Sequence, residues 1–134
     1  MCIQDWREFF EDGYSFHKTA RGAVNRPDVF TPTIIQNIAA MAIEKYFMAI
    51  FRKRGFMPLN HTMTDLVNAA TTIALPISSE LLETLYYMDQ LQQICSLDSF
   101  KIIEPVQSDV SRFLKAASDV ANLAAKELQI NIEI

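Results

Sequence analysis

Apolar side chains recur at helical spacing in five stretches of the chain, separated by short polar or proline-bearing breaks. Over residues 3–24, Trp6, Phe9, Phe10, Gly13, Tyr14, Phe16, Ala20 and Val24 share one arc of a helix, and Glu8, Glu11, Asp12, Ser15, Lys18 and Gly22 share the opposite arc. His17 falls near the middle of the apolar arc. Asn25-Arg26-Pro27-Asp28 ends this pattern with turn chemistry. Thr31-Pro32 then offers a capping hydroxyl and a first-turn proline, so a second helix is predicted from there to about Arg54. Between Ile34 and Phe51 its polar residues are only Gln36, Asn37, Glu44 and Lys45, which predicts a central element contacted on several sides.

Thr62 with Asp65 three residues on predicts the start of a shorter third helix, ending near Ala74 before Pro76. Ser78 or Ser79 can cap a fourth, whose wide apolar face carries Leu81, Leu82, Leu85, Tyr86, Met88 and Cys95 and also admits Asp89 and Gln92. From Ser108 a fifth runs through Val110, Phe113, Leu114, Ala117, Val120, Ala121, Ala124 and Leu128, with Arg112, Lys115, Asp119 and Lys126 toward water. Residues 96–105 read as irregular or as a short extended piece, and the tail from Ile130 to Ile134 as frayed or extended. Five helices with short connections predict one all-α domain over 1–134, an up-and-down antiparallel bundle.

Composition agrees with one such core: 134 residues, half of them hydrophobic, a net charge of −4, and only three glycines and five prolines. Two distant cysteines, Cys2 and Cys95, form neither a disulfide framework nor a zinc motif. Met1 to Phe10 carries Asp5, Arg7 and Glu8, unlike a signal peptide, and no apolar run is long enough to span a membrane, so a cytoplasmic chain without a membrane partner is expected. A pI near 5.1 argues against a nucleic-acid grip spread over the whole surface.

Candidate chemistry is sparse. Neither His17 nor His61 follows a glutamate by three residues, which excludes a carboxylate-bridged di-metal bundle. No phosphate-cradling glycine loop or hydrolase elbow is present, and no metal or cofactor is expected. Two groups could contact an anionic ligand: His17 with Arg21 one turn on, and the run Arg52-Lys53-Arg54 followed by His61. Each has a structural alternative, a buried histidine in the first case and compensation of the helix dipole in the second. Glu44 and Lys45 sit midway along the apolar second helix, where a charge needs a partner, and Asp89 is a candidate counter-ion for Lys45 or an arginine. Phe51, Phe56 and Met57 gather beyond that helix as a candidate interface patch.

The stretch from Ala39 to Phe51, with Glu44-Lys45 among small and apolar residues, resembles the second helix of the HEPN family, the higher eukaryotes and prokaryotes nucleotide-binding domain. Gly55, Pro58, the Asp65-Leu66 helix start and the aromatic first helix opening near Trp6 extend the likeness over nearly the whole chain. The resemblance implies a dimerising helical bundle, with functions from metal-independent RNase toxins of toxin–antitoxin systems to non-catalytic partners of small nucleotidyltransferases. Nuclease members carry Arg, four to six residues, then His, toward the C-terminal half. Here that spacing is matched only by Arg54 and His61, after the second helix, and Leu91 to Leu114 holds no histidine. Thr64 stands where many members have histidine, and Ser99-Phe100-Lys101 where an Arg-Tyr-Pro-like piece is common. The expectation is a non-catalytic, homodimeric module binding a nucleotide, RNA or a nucleotidyltransferase. An RNase using Arg54 and His61 and a ligand-free scaffold are the alternatives.

Overall fold

The structure, a computed structural model, describes residues 5–93 and 105–132. It is all-α, with α1 Trp6–Ala23, α2 Pro32–Lys53, α3 Met63–Thr72, α4 Ser79–Gln93 and α5 Gln107–Leu128. The helix starts follow from local chemistry. Thr31 and Thr62 accept hydrogen bonds from the amides of Ile34 and Asp65, and the Ser78 hydroxyl accepts from Leu81. Asp109 does the same in reverse at α5, where its carboxylate accepts from the amide of Val106. The expectations for the Gln92 side chain, for Cys95 and for the segment 96–104 lie outside what the structure describes.

α2 is the centre of the bundle. Ile43, Tyr46, Phe47, Ala49 and Phe51 are sealed from solvent, and α1, α3 and α5 pack around them. Among the described residues α2 is the one helix long and apolar enough to cross a membrane, but most of its apolar length is buried against the other helices, as in a core helix.

Pairings fix the directions. Trp6 meets Lys53, Phe10 meets Tyr46, and Gly13 lies against Ala42, so α1 is antiparallel to α2. Glu80 reaches Lys115, Thr84 reaches Arg112 and Tyr87 reaches Asp109, so α4 is antiparallel to α5. Thr64 at the start of α3 meets Asp89 late in α4, which makes these two antiparallel as well. The α2–α3 connection departs from this alternation. After Arg54 it runs back along α2 until His61 reaches Glu44, and α3 then returns in the sense of α2 to bring Ile73 beside Arg54. α5 shares that sense, with Val110 near Ile35 at one end and Leu128 near Lys53 at the other.

Three C-termini therefore meet at one end of the bundle, and all three close in the same way. At α2 the amide of Phe56 donates to Phe51 O and that of Gly55 to Arg52 O; Leu75 and Ala74 repeat this on Ala70 and Thr71, and Ile130 and Gln129 on Ala125 and Lys126. The turn needs a left-handed residue, taken by Gly55 (φ 73°), Ala74 (φ 60°) and Gln129 (φ 58°). Its usual apolar contact is present at α2 as an edge-to-face pair of Phe51 and Phe56, 5.6 Å between centroids. This corrects the expected interface patch: Phe51 is 0% exposed and Phe56 is packed on the core, leaving Met57 as its one exposed member.

Candidate functional site

The cations Lys53 and Arg54 belong to that meeting of helix ends. The Lys53 ammonium donates to the carbonyl of Leu128, the last residue of α5, at 3.1 Å and lies 5.2 Å from the Trp6 ring centre. The Arg54 guanidinium donates to the carbonyl of Ile73, just past α3, and to the Glu127 carboxylate at 3.0 Å. Terminal carbonyls carry the negative end of each helix dipole, and two cations projecting from the end of α2 satisfy those of its neighbours. Arg52 has no ion-pair partner among the described residues. Two of the three cations expected to grip an anion are thus engaged in holding the bundle end together.

His61 is elsewhere. Its Nδ1 lies 3.3 Å from Glu44 Oε1, ten residues before Arg54 on α2, or about 15 Å along the helix axis. Arg54 and His61, the candidate catalytic pair, do not point into a shared cleft. The physical reason is the backtracking connection, which carries His61 away from the end of α2.

His17 and Arg21 also separate. The His17 ring is 1% exposed, whereas Arg21 is on the surface. Nδ1 of His17 is 2.9 Å from the Tyr46 hydroxyl and Nε2 is 3.3 Å from the Ser118 hydroxyl. A neutral imidazole has one N–H and one lone pair, so one hydroxyl donates to the ring and the other accepts from it. Burial first, and then the nearby Arg21 charge, push the His17 pKa down from 6.5 to about 4. Burial, followed by the nearby Tyr14, raises that of Tyr46. The network is a neutral polar pin joining α1, α2 and α5. Gly13 makes room for it, since a Cβ there would stand 3.0 Å from the Tyr46 ring and 3.1 Å from the Ala42 carbonyl oxygen.

The three polar residues expected inside the bundle each find a partner, and Lys45 and Asp89 do not form the ion pair considered for them. Glu44 takes His61, Lys45 lies 5.3 Å from the centre of the Phe9 ring, and Asp89 accepts from the Thr64 amide at 3.2 Å and from its hydroxyl. The buried Asp89 carboxylate thus sits at the N-terminus of α3, where the dipole favours it. Among the described residues no group of three metal-ligating side chains occurs.

Glu44 and His61 meet on one of several surface clefts among the described residues, others lying between α1 and the residues after α5. Asn37, Ala40, Met41, Glu44, His61 and Met63 line a cleft of about 270 Å³ between the middle of α2 and the start of α3. Sequence reasoning found Glu44 and His61 but missed Asn37 and Met41. Their signal was the i, i+4, i+7 spacing of Asn37, Met41 and Glu44 on a helix otherwise apolar all round. Tyr46 and Ser118, the partners of His17, were likewise missed.

A crystal structure of TT1696 from Thermus thermophilus is similar to this chain, with a TM-score of 0.73 over 93% of this chain and 99% of that one, at 15% sequence identity. At that identity the likeness is one of fold. Neither a family model nor a curated protein matches the sequence.

Proposed function

We propose that the chain is a non-catalytic, HEPN-like interaction module that works as a homodimer and engages a nucleotidyltransferase-type partner, a nucleotide or RNA. The observation that carries the non-catalytic part is the separation of Arg54 from His61. Metal-free cleavage of RNA needs an acid or base and a cation held together at the reacting phosphate. Here one group is committed to Ile73 and Glu127 and the other to Glu44, at different levels of α2. The interaction part is supported by exposed apolar side chains on α2 and its following loop, Met41 on the helix and Met57 and Leu59 beyond it. The HEPN reading itself rests on the Ala39 to Phe51 pattern, with Gly55, Pro58 and Asp65-Leu66 after it.

The test is to mix the purified protein with a pool of nucleotides and single-stranded RNA, without metal, and to follow thermal shift and RNA integrity together. A shift with intact RNA is the expected result. RNA cleavage lost in both Arg54→Ala and His61→Ala would replace this reading with the nuclease.

A further inference from the structure

Trp6, Phe10 and Tyr14 follow one another at four-residue spacing on α1, which sets their rings along about 12 Å of one helix face. Opposite them runs the chain after α5. The left-handed Gln129 (φ 58°) turns it out of the helix, and Ile130 and Ile132 then pack on the core, as Trp6 and Tyr14 do. The two walls leave a groove between them, of about 200 Å³ at the Trp6 end and about 410 Å³ at the Tyr14 end. Phe10, Glu11, Asn131 and Ile132 line both ends, so the groove is continuous. Its wider part falls within the roughly 300–1,000 Å³ of small-molecule clefts, and its lining of aromatic and aliphatic side chains with a few polar groups is of the same kind.

Charge decides what such a groove takes. The cations beside it are already engaged. Arg7 lies 4.4 Å from the centre of the Trp6 ring and 3.4 Å from the Asp5 carboxylate, Lys53 stands 5.2 Å from the same ring centre and donates to Leu128, and Lys18 lies 4.9 Å from that of Tyr14. Glu11, in contrast, has no hydrogen bond or ion pair among the described residues. An anion entering the groove meets this carboxylate, whereas a cation supplies the partner it lacks. The Asn131 amide beside it offers a further donor and acceptor. We propose that this groove binds a small amphipathic amine, its aromatic or aliphatic body between Phe10, Tyr14 and Ile132 and its ammonium group on the Glu11 carboxylate. The site shares no residue with the cleft of Glu44 and His61, and its assignment does not depend on the HEPN reading.

Trp6 is the one tryptophan of the chain and lines the groove, so its fluorescence reports on binding there. The purified chain is titrated with phenethylamine, phenethyl alcohol and hydrocinnamate, which carry a cation, a neutral group and an anion on similar bodies. The expected order of affinity is amine, then alcohol, then carboxylate. Glu11 is exposed, so Glu11→Gln keeps the fold, and it should weaken the amine about threefold or more while leaving the alcohol unchanged. Ile132→Ser, which cuts back the apolar wall, should weaken amine and alcohol together, with circular dichroism showing that the helices persist. No saturable binding, an amine that binds no better than the alcohol, an amine advantage that survives Glu11→Gln, or affinities untouched by Ile132→Ser would each overturn the proposal.

Discussion

Replacing His17 should remove a specific acid sensitivity from the fold. In the folded chain the ring is buried against Tyr46 and Ser118 and titrates at about 4, whereas in the unfolded chain it titrates near 6.5. Between those values the unfolded state binds the extra proton, so stability falls as pH drops through 6.5 and levels off below about 4. Above pH 6.5 the ring is neutral in both states and imposes no penalty. The two pKa values give a loss of about 2 kcal/mol at pH 5, approaching about 3 kcal/mol below pH 4. His17→Gln keeps a donor and an acceptor but cannot titrate. Urea unfolding of both proteins at pH 7.5 and pH 5 isolates this contribution, because the remaining carboxylates are common to both. Wild type should lose about 2 kcal/mol more than the variant over that interval. Equal losses would show that His17 is not buried as a neutral ring.

Phe47→Ala should cost about 3 to 5 kcal/mol in urea unfolding, because the side chain is sealed within α2's contacts; a change within about 0.5 kcal/mol would place it on the surface. Gly13→Ala should destabilise by about 1 to 2 kcal/mol despite its better helix propensity, since the new methyl presses on the Ala42 carbonyl and the Tyr46 ring; a more stable variant would mean that α1 and α2 are less closely apposed. Ala74→Gly should raise thermal stability by about 0.5 to 1 kcal/mol by relieving a left-handed alanine at the end of α3, and a loss would contradict that conformation.

The helices were legible in the sequence because their starts are local. Thr31, Thr62 and Ser78 cap through amides three residues away. The apolar circumference of α2 likewise announced the centre of the bundle. What the sequence withheld depends on distant contacts. His17 finds Tyr46 and Ser118 at separations of 29 and 101 residues, and no periodicity of α1 reveals a hydroxyl on α2 or α5. Arg52-Lys53-Arg54 looked like either a ligand grip or compensation for one helix end. The structure shows Lys53 and Arg54 serving the ends of two other helices, a role that exists only because the connection after Arg54 doubles back and α3 and α5 finish beside α2. The same reversal separates Arg54 from His61, whose sequence spacing had suggested a pair. Phe56 had a readable local role, since it follows the glycine that ends α2 and packs on Phe51 five residues earlier.

The homodimer is the central claim, and light scattering of the wild-type chain over a dilution series from high to low micromolar concentration tests it most directly. The account predicts a mass of twice 15.3 kDa at the upper end, falling toward 15.3 kDa on dilution or holding if the contact is tight. A mass of 15.3 kDa at every concentration would contradict it.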